Sequence, residues 1–167
     1  MNAKEVLLNQ MKWSYDTPQE GWFPNLTDAL EALKFEDAGK SNGDDSHTVW
    51  DVINHLIYWN DRNLRRFKDT KATLDSPFQD NEESFKQKEL EKTNENWMRT
   101  IEQAHQVFSQ WIIAVEGATG ARLNSQLSDN DTRIASEVIA HMNIHNAYHI
   151  GQIVIIRKLH NVWKNKY

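Results

Sequence analysis

No cysteine occurs among the 167 residues. That absence excludes a thiolate zinc finger, an iron–sulfur cluster, a cysteine nucleophile and a redox dithiol. Long hydrophobic runs are missing too. The longest is Trp111-Ile112-Ile113-Ala114-Val115, far short of the roughly 18–20 apolar residues that span a bilayer. Near the N-terminus only Val6-Leu7-Leu8 is apolar before polar residues return, so no signal peptide is expected. An excess of positive charge is also absent: 19 Lys and Arg stand against 24 Asp and Glu, a net charge of −5, with a pI near 5.8. Such a balance argues against a duplex-wrapping nucleic-acid binder. The expectation is one soluble cytoplasmic domain over residues 1–167, with no nucleic-acid or membrane partner. A chain of this length buries enough surface to fold without disulfides or a structural metal.

Proline and glycine are scarce and clustered. The three Pro stand at 18, 24 and 77, and the six Gly at 21, 39, 43, 117, 120 and 151. Between the clusters run long stretches without breakers, rich in Leu, Glu, Lys, Gln, Asn and Trp, the composition of an all-α chain. The first helix is expected from about Ala3 to Tyr15, with Val6, Leu7, Gln10, Met11 and Ser14 inward. A short helix or turn in Asn25–Leu33 places Leu26, Leu30 and Leu33 over one end of the core. Thr48-Val49-Trp50-Asp51 approximates a capping box and predicts a second long helix to about Phe67. A third is expected over about Glu82–Val115, through Phe85, Leu90 and Trp97, ended by Gly117 and Gly120. The fourth runs from about Thr132 to His160. Four antiparallel helices with one long linker, between the first and second, pack most economically as a four-helix bundle.

The last helix carries His141, His145 and His149 at i, i+4 and i+8. Members four residues apart lie nearly above one another, offset by about 6 Å along the axis. Two imidazoles so spaced can bind one ion. The stripe Ile134, Val138, His141, His145, His149, Gln152, Ile156 is apolar at both ends, which points the imidazoles into a bundle. There an unpartnered polar group costs on the order of 1–3 kcal/mol. Hydrogen bonds to core hydroxyls or water would satisfy the rings equally. A third ligand must come from a neighbouring helix, and His55, one turn from Val52 and Trp59, is the candidate. His47 reads as an exposed cap residue, His105 as ordinary packing, and His160 as a cation at a helix C-terminus.

The segment Thr48-Val-Trp-Asp-Val-Ile-Asn-His55-Leu-Ile-Tyr-Trp59, followed by His145-Asn-Ala-Tyr-His149-Ile-Gly-Gln152-Ile153, resembles the DinB-like superfamily of metal-dependent enzymes. Gly21-Trp22-Phe23-Pro24 to Leu33 is similar to that family's linker, so the resemblance covers nearly the whole chain. It implies a four-helix bundle of up-down-down-up topology, often dimeric, in which three histidines hold a divalent metal, commonly nickel or zinc. Carried over by position, the ligands are His55, His145 and His149. His141 falls outside that triad and reads as core or as support for it, with substitution as a ligand the lesser alternative.

Three neutral imidazoles leave a coordination position open, as catalytic sites require. The motif His145-Asn-Ala-Tyr-His149 lacks the glutamate of H-E-x-x-H, which counts against a peptidase. Asp51, Gln152 and Tyr148 are candidate supporting groups, although for Asp51 a helix N-terminal charge is the simpler role. Arg62, two turns beyond His55, is a candidate for an anionic thiol or substrate at the pocket mouth, whereas Arg65 and Arg66 read as surface charges. Tyr58 and Trp59 read as bundle packing. The resemblance implies thiol S-transfer, with a low-molecular-weight thiol as cosubstrate, as the first reaction to test, and metal-assisted hydrolysis as the second. A non-catalytic metal-binding or stress-response protein, or a helical interaction module, is the alternative. Ile139, Ala147, Ile150, Val154 and Ile155 give the last helix a second apolar side, and with Gly151 they suggest a homodimer contact.

Overall fold

The computed structural model describes residues 2–17, 22–43, 46–72, 76, 78, 80–86 and 91–164. Pro18, Gly21, Pro77 and Leu90 lie outside the described residues. Seven α-helices form: α1 Ala3–Tyr15, α2 Leu26–Leu30, α3 Phe35–Ala38, α4 Val49–Lys68, α5 Asn94–Gly117, α6 Gly120–Leu123 and α7 Ala135–Leu159. Among the described residues there is no strand, only one isolated bridge between Gln126 and Ile134. The all-α expectation holds.

Side-chain caps start several of these helices where the sequence offers them. Thr48 Oγ1 accepts from the Asp51 amide at 3.1 Å, and Asp51 Oδ2 accepts from the Thr48 amide at 2.8 Å, so the capping box that opens α4 is closed on both sides. Asn2 and Glu5 build a second box at α1. The third long helix begins at Asn94, capped by Thr93, and not at Glu82. Residues Glu82–Phe85 form a separate 3-10 turn. Phe85 falls in phase with the apolar positions of α5 yet packs on α4, so periodicity alone joins two elements that the chain keeps apart.

Helix directions follow from contacts along the pairs. Trp50 Nε1 donates to Thr100 Oγ1 at 3.0 Å and Trp111 Nε1 donates to Asn60 O at 2.9 Å, so α4 and α5 run parallel. Lys12 Nζ meets Glu116 at 2.7 Å while the Tyr15 ring lies 5.8 Å from that of His105, so α1 opposes α5. The reciprocal amide pair of Asn60 and Asn146, at 2.8 and 3.1 Å, and Asn63 Nδ2 donating to Met142 Sδ at 3.3 Å make α7 antiparallel to α4. The order is therefore up-down-down-up, and not four helices each opposed to the next. This topology shapes the site. A 20-residue α4 is about 30 Å long, and a parallel α5 obliges the chain to return that whole distance through residues 69–93. The crossover lays Glu82–Phe85 against α4.

Buried apolar side chains form two clusters. One gathers Leu26, Leu30, Leu33, Trp50, Ile53, Leu56, Trp97 and Ile153 at one end, and the other gathers Leu7, Met11, Leu64, Trp111, Leu127 and Ile139 at the opposite end. Leu26, Leu30 and Leu33 thus cap the core as their spacing suggests, although α2 stops at Leu30 and Ala32 takes a left-handed conformation, φ 52°. Polar residues lie between the clusters: His55, Asn60, Asn146 and His149 are all buried.

Candidate metal centre

His55 from the second turn of α4 meets His145 and His149 from the middle of α7. One ring nitrogen of each lies within 4.8 Å of the others. His55 Nε2 and His145 Nε2 face each other at 3.0 Å. Two imidazole nitrogens on one ion at about 2.0–2.1 Å stand roughly 3.3 Å apart in tetrahedral geometry and about 3.0 Å apart at right angles. The observed separation therefore already suits a shared ion, and a ring nitrogen of His149 lies within 4.8 Å of both.

Two of the three rings are oriented by bonds from their far nitrogens. Ser84 Oγ donates to Asn81 O at 2.6 Å, so its oxygen is left to accept from His55 Nδ1, 2.7 Å away. That assigns the His55 proton to Nδ1 and turns the Nε2 lone pair toward His145 Nε2, from which it accepts at 3.0 Å in the metal-free chain. His149 Nδ1 donates to Gln152 Oε1 at 2.6 Å, and Gln152 Nε2 donates to Tyr148 Oη at 3.0 Å, which leaves the lone pair of His149 on Nε2. Holding a ligand ring by its second nitrogen is the usual orienting device of metal sites. Nδ1 of His145 is buried without a hydrogen-bond partner. Phe85 stacks on the His55 ring at 3.8 Å and closes its other face.

Burial, reinforced by the neighbouring imidazoles, holds the rings neutral. His55 is pushed down to about 3 and His145 to about 4, in each case mainly by burial and then by His149; His149 is lowered as well, chiefly by burial. At neutral pH all three carry lone pairs, as metal ligation requires.

Comparison with known proteins bears on this cluster. The family model described as the DinB superfamily matches residues 20–153, a span that takes in all three histidines. The chain belongs to the DinB superfamily. Among solved structures, YfiT from Bacillus subtilis is similar over 97% of this chain and 87% of its own, with a TM-score of 0.62 at 15% identity. That protein is described as a probable metal-dependent hydrolase with an unusual four-helix bundle topology; likeness at this identity establishes the shared fold. No curated protein sequence matches significantly.

In this DinB-superfamily chain the triad opens onto a cleft of about 580 Å³ between α4 and α7. Other residues singled out from sequence divide around it. Gln152 and Tyr148 line it, whereas Arg62 does not; Arg66 and Arg133 do. Asp51 is spent on the Thr48 cap and does not reach His55, whose partner is Ser84. Trp59 lines the cleft, with its indole nitrogen buried and unpartnered, and only Tyr58 packs away, against Phe78. His141 is an exposed rim residue, not a core one. His47, expected as a cap, instead stacks on Phe85 at 4.0 Å, lies 3.4 Å from Glu82 and faces the cleft. Glu82, Ser84 and Phe85 carry no signal in sequence, because the crossover brings them there and local spacing does not, and His47 reaches the cleft from the segment just before α4.

Proposed function

We propose that this chain is a metal-dependent enzyme in which His55, His145 and His149 hold a divalent ion, nickel or zinc first, for reaction with a small molecule in the cleft. The observation that carries this is the set of three neutral imidazoles from two helices, His55 and His149 buried and His145 half-buried, converging with one ring nitrogen of each within 4.8 Å of the others. Such an ion supplies Lewis acidity, acidifying a water or a thiol and polarising an electrophile. Among the described residues no fourth His, Asp or Glu joins the cluster. A site bordered by a cleft suits turnover better than a closed storage site. The cleft's volume lies within the range of roughly 300–1,000 Å³ common for small-molecule sites.

The chain's own groups have distinct tasks in this reading. Ser84 and Gln152 fix the ligand rings, and Tyr148 anchors Gln152. His47, held by Glu82, is the group free to accept the proton that leaves an acidified water or thiol. Trp59 and Phe85 wall the reacting end against bulk water. Arg62, away from the cleft lining, has no part in it. Thiol S-transfer, with a low-molecular-weight thiol as cosubstrate, remains the first reaction to test, since a chain without cysteine leaves the thiol to a second substrate. Metal-assisted hydrolysis is the second reading, favoured by the description of YfiT and by the His47–Glu82 pair.

The homodimer belongs to the same proposal. Of the second apolar side expected on α7, Ile139, Ile150 and Val154 are buried in the bundle's own core, and the exposed stripe is instead Ile144, Tyr148 and Ile155 beside Gly151, whose Cα faces open space. A second copy packed there would cover an apolar stripe and stand over the cleft beside Tyr148. Elemental analysis of purified protein tests the metal: near-stoichiometric nickel or zinc in the wild type, lost in His55→Ala and His145→Ala, is expected. No metal in the wild type after exposure to divalent ions would return the histidines to a purely structural role. Assays for thiol transfer and for ester hydrolysis with the loaded protein then separate the two reactions.

A further inference from the structure

The cleft has a second end, defined by two arginines and one carboxylate. Only 15% of the Arg66 side chain is exposed. Its Nε and Nη2 donate to Ser128 Oγ at 3.1 and 2.9 Å, and Nη2 lies 3.0 Å from Asp131 Oδ2. Arg133 grips the same carboxylate: its backbone amide and Nε each donate to Oδ1 at 3.0 Å, and Nη2 donates to Oδ2 at 2.9 Å. These bonds, Arg133 foremost, pull Asp131 down to about 2, so it is an anion throughout the useful pH range. Two guanidiniums against one carboxylate carry at most one net positive charge. Two further acids lower that excess without bonding the arginines: Glu82, which lines the same cleft beside His47 and Lys86, and Glu137, which acts on Arg133 through its charge. Nη1 of both arginines has no partner among the described residues.

A surface tie for the loop before α7 would need only one arginine. Here two are held in fixed orientation on the wall of the cleft that contains the histidines. We propose that Arg66 and Arg133 form a subsite for a carboxylate of the substrate or cosubstrate, remote from the group that reacts at the histidines. This rests on the metal-enzyme reading above for what happens at the other end. The residues between the two ends (Trp59, Asn63 and Met142) are neutral. Arg66 stands eleven residues beyond His55 on α4, about 16 Å along the axis, and its side chain leans back toward the N-terminus. The ligand's acid and reactive groups are thus separated by something on the order of 10 Å. Arginine forks match carboxylate and phosphate alike, but a site with at most one net positive charge holds a monoanion better than a dianion, which selects the carboxylate.

The test uses the metal-free full chain, with octanoate as the probe and 1-octanol as its neutral match, followed by NMR shifts of the Arg133 Nε–H. Octanoate is expected to bind about tenfold more tightly than octanol. Arg133→Gln removes one positive charge from the cluster and should reduce that preference to about twofold or less. Asp131→Asn removes a negative charge and should widen it, and Arg133→Lys should keep most of it. If Arg133→Gln loses its helical circular dichroism, the Arg133→Lys and Asp131→Asn comparison carries the test. Equal octanoate binding by the wild type and these variants, or none by the wild type, overturns the subsite. Tighter binding of octyl phosphate than of octanoate overturns the carboxylate assignment. Zinc stoichiometry, measured separately, judges the metal: its absence with the octanoate preference intact sinks the metal reading alone.

Discussion

Ser84 offers the sharpest test of how the site is held, because it touches no ion yet fixes the ring that would. Its hydroxyl is buried between Asn81 O at 2.6 Å and His55 Nδ1 at 2.7 Å. Ser84→Ala removes the acceptor for the Nδ1 proton beside the stacked Phe85 ring. Two consequences follow. The metal-free protein keeps a buried donor without a partner, a loss of about 1–3 kcal/mol of stability. The His55 ring loses its orientation and its preferred tautomer, which in metal sites typically weakens binding about 10–100-fold, or roughly 1.4–2.7 kcal/mol. Zinc competition against a chromophoric chelator reads the second effect, with urea unfolding of the metal-free chain reading the first. Ser84→Ala should fall between wild type and His55→Ala in affinity, and Ser84→Thr, which keeps the hydroxyl, should recover part of the loss. Zinc affinity within about twofold of wild type, in a folded Ser84→Ala protein, would refute the argument that the crossover positions His55.

Acidification of the metal-free chain supplies a second prediction. Unfolded imidazoles take up protons near 6.5, whereas His55 and His145 resist until about 3 and about 4. Between those values unfolding binds protons, so stability falls as pH falls, by up to about 1.4 kcal/mol per pH unit for each histidine. Asp131, lowered from 3.8 to about 2, adds its own loss as pH falls between those values, overlapping only the acid end of that window. Urea midpoints that stay level from pH 7 to pH 5 would contradict the burial of the triad. The Asn60–Asn146 pair predicts non-additivity: either Asn→Ala change alone should cost about 1–3 kcal/mol by leaving the other amide unpaired, and the double Asn→Leu variant should recover much of it. Additive losses in a double-mutant cycle would contradict the pairing. Sedimentation of Ile155→Glu tests the α7 interface: it should be monomeric where the wild type is dimeric, and a wild-type monomer at high concentration would remove the dimer from the proposal.

Much of the fold is local and therefore readable. Breakers bound the helices, Thr48 and Asp51 mark the start of α4, and the four-residue spacing of His145 and His149 places both on one face of α7. His55 is readable only as a lone histidine on an apolar face, and the family resemblance is what pairs it with the other two. Helix direction is different in kind, since an antiparallel and a parallel α4–α5 pair bury the same apolar stripes and give the same periodicity. The parallel choice appears in sequence only as the length of residues 69–93, and there Phe85 imitates an earlier start for α5.

That choice also decides the chemistry around the triad. Had α5 followed α4 through a short turn, no segment would pass over His55, and neither Ser84, Phe85 nor Glu82 would reach it. The same topology explains why the arginine assignments shift. Arg62 and Arg66 lie four residues apart on one helix and look equivalent from α4 alone. Only Arg66 finds Ser128 and Asp131, contributed by the loop that leads into α7, and those partners turn it toward the cleft. The ligand face is inscribed in the helical repeat, whereas the groups that orient the ligands and line the far end of the cleft come from connections between helices. Variants in those connections should therefore alter metal affinity and ligand choice while leaving the bundle helical.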